Sequence, residues 1–242
     1  MNEQFAEVLK NKMDASSFAK LDALGNDKLC AFVVDAVGLC RPDKVKVCDD
    51  SPADIAFCRQ LAIDNREERS LEVKGHTAHF DGYFDQGRDK EVTKYLLPKG
   101  MDLGERLNSM DRDEGLKEIR GFFAGAMKGR TMLVRFFCLG PTNSAFSISC
   151  AQITDSAYVA HSEDMLYRPG YEQFKRLGGK GGFFRFLHAT GKVDERMASA
   201  EPDKKRIYID ITEDMVMSVN TQYAGNTVGL KKLALRLAIR RA

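Results

Sequence analysis

The residues best suited to chemistry lie near the end of the chain, in Tyr223-Ala224-Gly225-Asn226-Thr227-Val228-Gly229-Leu230-Lys231-Lys232. A turn bearing glycines opens an apolar helical pattern, so a ligand can approach the backbone, and Lys231 and Lys232 fall in the first turns of the helix. A lysine pair there is electrostatically awkward. The positive end of the helix dipole opposes both charges, and each ammonium opposes the other. Both effects favour the neutral amine, the form of lysine with a lone pair for a metal or a proton. The plainer alternative is a pair of solvated lysines on an amphipathic helix.

A second candidate is Arg130. In Ala126-Met127-Lys128-Gly129-Arg130-Thr131-Met132-Leu133-Val134 a Gly-Arg pair enters a strand-like run, which puts the guanidinium at a strand mouth. Arginine suits a carboxylate or phosphate through two parallel hydrogen bonds, although an ion-paired arginine flanking a strand fits the spacing equally well. Arg66-Glu67-Glu68-Arg69-Ser70 reads as a charged, solvated loop. His76, His79, Asp81 and Asp85 crowd together, but their spacing matches no H-E-x-x-H or cysteine-rich site, and Gly82 favours a turn. A hydrogen-bonded loop therefore outweighs a metal site there. His161-Ser162-Glu163-Asp164 lacks a G-x-S-x-G elbow, and in a strand its first two residues would point opposite ways, which argues against a hydrolase. Leu177 to Gly182 is glycine-rich without G-x-x-x-x-G-K-[ST] spacing, so it reads as a flexible connection rather than a phosphate loop.

The elements that must position these residues alternate in type. The first forty residues read as helical, broken at Gly25-Asn26-Asp27, while the apolar run Leu29–Val37 fits either a helix or a buried strand. Lys44–Cys48 alternates as a strand does, and Asp50-Ser51-Pro52 caps a helix running to Asn65. Further strands are expected at Glu91–Leu97, Val134–Leu139, Phe146–Ile153, Phe183–Leu187, Arg206–Ile211 and Met215–Val219, and a helix at Glu114–Phe123. Gly140–Ser144 makes a β-hairpin of the second and third of these strands. Thr154–Val159 is expected to start another strand, and Gly100–Asp113 to be polar loop. The fold class implied is α/β, a mixed β-sheet with flanking helices.

A chain of 242 residues with 43% hydrophobic and 30% charged residues can bury a substantial core. A net charge of +2 gives no argument for nucleic acid or an anionic membrane, and no apolar run is long enough to span a bilayer. The six cysteines are scattered with no CxxC pair, and the N-terminus lacks the apolar core of a signal peptide. Both suggest reduced thiols in the cytoplasm.

The pattern Y-[AG]-G-N-[ST]-x3-K-K resembles the equivalent stretch of the GTP-linked phosphoenolpyruvate carboxykinase family. M-K-G-R-T-M around Arg130, T-D-S-x-Y-V from Thr154 and, less specifically, LCRPDKVKVCDDSPAD are similar to runs in the same family. The resemblance implies that Tyr223, Ala224, Gly225 and Asn226 line the oxaloacetate/phosphoenolpyruvate site. It also implies that Lys232 is a ligand of the catalytic Mn2+ (or Mg2+), with Lys231 beside it. Many members carry glycine where this chain has Ala224, whose methyl group narrows the approach to the backbone. The family's substrate-gripping arginine on a mobile loop maps to Arg69, with Arg66 as the fallback, and Arg130 becomes a candidate substrate contact.

By the same resemblance, residues 1–225 form the N-terminal substrate-binding domain and 226–242 a helix leading into a nucleotide-binding domain outside this sequence. The implied reaction removes CO2 from oxaloacetate and phosphorylates the enolate, with GTP/GDP bound mainly by that C-terminal portion. The fragment alone is then expected to be inactive. A pyrophosphate-linked carboxykinase and a non-catalytic binding relic of the same domain are the alternatives.

Overall fold

Helices and strands interleave along residues 3–80, 82, 85, 91–180 and 182–222, the residues that the computed structural model describes. The chain opens with α1 (Glu3–Lys10), α2 (Ala15–Ala23) and α3 (Asp27–Cys40), followed by β1 (Lys44–Val47) and α4 (Pro52–Asp64). Short strands β2 (Arg69–Ser70) and β3 (Thr77–Ala78) pair with each other. Next come β4 (Thr93–Leu97), β5 (Ser109–Asp111), α5 (Arg112–Phe123), β6 (Thr131–Leu139), β7 (Ile148–Thr154), α6 (Ala157–Leu166) and β8 (Arg168–Pro169). The described chain ends with α7 (Tyr171–Lys175), β9 (Phe184–Ala189), β10 (Arg206–Asp210) and β11 (Met215–Val219).

Among the described residues, nine strands form one mixed sheet in the order β1-β6-β7-β9-β11-β10-β4-β5, with β8 beside β6. β7, β9 and β11 are mutually parallel, whereas β6 runs antiparallel to β7. Alternation along each strand divides the core between the two faces. On β6, Met132, Val134 and Phe136 face the cluster formed with α1, α2, α3, α5 and α7, while Leu133 packs with Cys58 and Ala62 of α4 and Ala157 and Ala160 of α6. Helices therefore cover both faces.

The ambiguous run in α3 is helical because its buried residues Leu29, Val33, Val37 and Cys40 recur every three or four positions, and Asn26 accepts the Leu29 amide at 3.0 Å as the N-cap. Ser51 caps α4 in the same way, with Pro52 in the first turn. Three expectations need correction. Thr154–Val159 does not start a strand: β7 ends at Thr154, and the Ser156 hydroxyl accepts the Val159 amide at 3.2 Å to open α6. His161 and Ser162 therefore sit on consecutive helical positions. Residues 66–70 are no solvated loop, because Glu67 and Glu68 are buried and Arg69–Ser70 forms β2. The stretch expected to be polar loop after Gly100 contains β5, paired in parallel with β4.

Candidate active site

Three neighbouring parallel strands grow polar towards their carboxyl ends. On the face shared with α6, β7 reads Cys150, Gln152, Thr154; β9 reads Phe184, Phe186, His188; and β11 reads Val216, Ser218. The apolar members form one core cluster, whereas Gln152, Thr154, His188 and Ser218 are all buried polar groups. A buried polar side chain needs partners, so such a gradient marks an edge organised around hydrogen bonding. Carboxyl ends of adjacent parallel strands are also where open α/β sheets bind ligands.

His188 links two of the strands. Its Nε2 lies 2.8 Å from the Thr221 carbonyl, which can only accept, so Nε2 carries the proton. Its Nδ1 then accepts from the Thr154 hydroxyl at 2.7 Å, and that hydroxyl accepts the Ser156 amide at 3.0 Å. Burial pushes the His188 pKa below its ordinary value of 6.5, which keeps the ring neutral.

Arg130 enters this edge from β6, whose antiparallel register sets Leu133 opposite Thr154. Its guanidinium donates to Asp155 Oδ2 at 2.7 Å and to the Gly191 carbonyl at 2.7 Å. Asp155 is buried and accepts the Thr190 amide at 2.8 Å and hydroxyl at 3.1 Å through Oδ1. Arg130 is thus ion-paired at a strand mouth, with 31% of its side chain still exposed to a cavity of about 320 Å3. Gly191 has φ +75°, and a Cβ there would meet Asn220 Oδ1 at 2.1 Å, so only glycine lets the carbonyl face Arg130 at this crossing.

Arg69 lies on the rim of a larger cleft of about 710 Å3. Its guanidinium sits 4.6 Å from the Phe80 ring centroid. The two cavities share Glu67 and Met197 as walls, so the chain brings both arginines to adjoining spaces. Buried acids fix the segment bearing Arg69. Glu67 Oε2 accepts the Ser156 hydroxyl at 2.5 Å and the Tyr158 amide at 2.9 Å, and Glu68 Oε1 accepts from His161 Nδ1 at 2.7 Å. Burial pushes the Glu67 pKa up, against the hydrogen bonds that oppose it. Sequence reasoning missed Glu67, Glu68, Asp155 and His188. Asp155-Ser156 at a strand end was the available signal, since such residues favour a helix N-terminus.

His79 donates from Nδ1 to the Glu67 carbonyl at 2.6 Å and stacks on Tyr158 with ring centroids 3.6 Å apart. Asp85 accepts the Gly82 amide at 3.0 Å and the Ser199 amide at 3.1 Å. Both serve loop structure; Asp81 lies outside the described residues. Among the described residues no group of three or more His, Cys, Asp or Glu side chains could hold a metal ion. Lys232 lies outside them, as do Tyr223, Ala224, Gly225, Asn226 and Lys231. β11 leads the chain to Thr221 and Gln222 at this same edge, immediately before that motif.

The profile of the phosphoenolpyruvate carboxykinase N-terminal domain matches residues 31–242. The chain belongs to this family. It is 54% identical over 98% of its length to a protein of Thermococcus kodakarensis named phosphoenolpyruvate carboxykinase [GTP]. It is 50% identical over its whole length to the protein of that name from Pyrococcus furiosus, and 41% identical over 98% to the one from Saccharolobus solfataricus. The chain spans 38%, 38% and 37% of these carboxykinases, respectively. Among the described residues no helix is long and apolar enough to cross a membrane.

Proposed function

We propose that this chain is the substrate-binding portion of a GTP-dependent phosphoenolpyruvate carboxykinase acting in the cytoplasm. One observation carries the reading: the polar carboxyl edge, with Arg130 facing a cavity, occurs in a chain 54% identical to a protein of that name. Oxaloacetate loses CO2 when its C–C bond breaks, leaving the electron pair as an enolate. The enolate oxygen then takes the γ-phosphoryl group of GTP, giving phosphoenolpyruvate and GDP, with the direction serving gluconeogenesis or the reverse.

The difficult species is the enolate, which needs fixed positive charge where oxygen becomes negative. Arg69 and Arg130 bind and orient the carboxylates of the dianion, and Tyr223 to Asn226 line its site. Lys231 and Lys232 are the catalytic lysines, Lys232 acting as the neutral amine. Lys232, with groups in the C-terminal portion, would hold a Mn2+ or Mg2+ ion, which when bound would supply Lewis-acid stabilisation of the developing oxyanion. Buried Glu67 and Glu68 hold the segment bearing Arg69 against α6, which limits the entropy lost on closing around substrate. The test is an assay of the full-length protein carrying this chain with oxaloacetate and GTP, ATP or pyrophosphate in turn. Phosphoenolpyruvate formed with GTP is expected. Turnover with pyrophosphate alone would replace the donor, and no turnover with any donor would overturn the reading.

A further inference from the structure

The cleft that holds Arg69 has a second cationic wall. Residues 192–200 fold back on themselves: the Asp194 amide donates to the Ala198 carbonyl at 2.9 Å, and the Ala200 amide donates to the Lys192 carbonyl at 2.9 Å. Arg196 sits at the tip of this hairpin-like loop and lines the cleft with Arg66 and Arg69. Glu67 and Glu68, also in the lining, are buried and engaged with α6, which leaves Glu195 as the exposed carboxylate among the described residues that line the cleft. Among the described residues, no carboxylate lies within ion-pair distance of Arg66, Arg69 or Arg196. Among the described lining residues, three guanidiniums beside one concave space, set against a single exposed acid, make a field that favours a dianion.

The loop is also tied to each part of the candidate site. Its first residue side is fixed where the Gly191 carbonyl accepts from Arg130 at 2.7 Å. Its tip is held by Asp194 Oδ1, which accepts the Arg196 amide at 2.8 Å and the Ala198 amide at 2.9 Å. Gln222, the residue before Tyr223, donates from Nε2 to the Met197 carbonyl at 2.9 Å. Arg196 is thus an exposed arginine on an otherwise fastened backbone. The same backbone connects it to Arg130 and to the start of the Tyr223 motif.

We propose that Arg196 is a further anion-binding residue of this site, contacting the substrate dianion from the loop of residues 192–200 while Arg69 contacts it from β2. Arg66 adds to the field at the cleft mouth. The inference rests on the carboxykinase reading, because it takes the same dianion as ligand. Unlike that reading, it concerns a residue outside every motif that carries the family resemblance.

The experiment is calorimetric titration of phosphoenolpyruvate and of oxalate into the full-length protein, at low and at moderate ionic strength. Arg196→Gln is expected to raise both dissociation constants about tenfold, the loss of one charge-assisted contact. Arg196→Lys should recover most of the affinity. Glu195→Gln should tighten binding, because it removes the opposing charge. The wild type should lose more affinity with added salt than Arg196→Gln does. The ligand-free thermal midpoints should agree among all four proteins, since both side chains are exposed. Unchanged affinity in Arg196→Gln, with the wild type binding normally, overturns this inference and leaves the carboxykinase reading intact. A wild type that binds neither anion overturns both.

Discussion

His188 shows how one residue can couple the candidate site to the medium. Its ring is buried, donates to Thr221 and accepts from Thr154, so a second proton would face a hydroxyl already oriented as a donor. Burial holds its folded pKa below 6.5, and the unfolded chain takes up the proton first as pH falls. Its contribution to stability is therefore complete above 6.5 and is lost as pH drops from 6.5 towards the folded value. Glu67 acts in the opposite sense. Its folded pKa is raised above 4.5, so its contribution is present below 4.5 and is lost as pH rises through the folded value. The two windows can overlap, so only variants separate them. Urea titrations across about pH 5 to 7.5 should show His188→Gln with a flatter dependence on the acid side than the wild type. At neutral pH that variant should cost about 1–3 kcal/mol, from a buried partner left unmade. An unaltered slope would mean that the histidine is not held neutral.

At the scale of elements, the tightest requirement is where β8 and α7 meet β6. A Cβ on Gly170 would fall 2.2 Å from the Phe137 backbone nitrogen, and backbone cannot rotate away as a side chain can. Asp50 pins the same junction, accepting the Tyr171 amide at 2.9 Å and the Gly170 amide at 3.2 Å. Gly170→Ala should destabilise the fold by about 3 kcal/mol or more, read as a shifted denaturant midpoint. Gly121→Ala is the control. It lies in α5 with nothing within 4 Å of its added methyl, so it should be neutral or stabilising by up to about 1 kcal/mol. Equal midpoints for the two variants would show that the β8–β6 junction yields easily. Neither glycine stands out in the sequence, because the requirement at Gly170 comes from a strand some thirty residues away. What the sequence did disclose was the break at Gly25-Asn26-Asp27, the cap at Ser51, the alternation of Lys44–Val47, and the hairpin of β6 with β7, whereas the cap at Asn26 was not read from it. The strand expected from Thr154 does not form because the Ser156 hydroxyl caps a helix there. Arg130 was legible by type and position, but its Asp155 partner was not, since pairing across the sheet is a property of register rather than of sequence neighbours.

The molecule as a whole raises the question of how much chemistry residues 1–242 can perform alone. The described sheet gathers Arg130, Asp155, Thr190, His188 and Thr221 at one edge, and the cleft adds Arg69 and Arg196. Under the proposed reading these groups serve to bind a small dianion, yet phosphoryl transfer also demands that the donor phosphates be held in line with the acceptor. The sequence contains no G-x-x-x-x-G-K-[ST] loop for that task, and the chain accounts for 38% of the carboxykinases from Thermococcus kodakarensis and Pyrococcus furiosus. Binding and turnover should therefore separate. Residues 1–242 expressed alone should give no GTP-dependent conversion of oxaloacetate, while phosphoenolpyruvate still stabilises the fold. At a ligand concentration of about 100 times the dissociation constant, that stabilisation is about 2.7 kcal/mol. For a domain of this size it amounts to a rise of roughly 5 to 10 °C in thermal midpoint. Turnover by the fragment would show that donor binding lies within these residues. A midpoint indifferent to phosphoenolpyruvate, in a protein that unfolds cooperatively, would show that residues 1–242 do not complete the anion site. Carrying Arg196→Gln and Arg130→Lys through the same melts would then tell a weakened site from an incomplete one, because only a site that binds can be weakened.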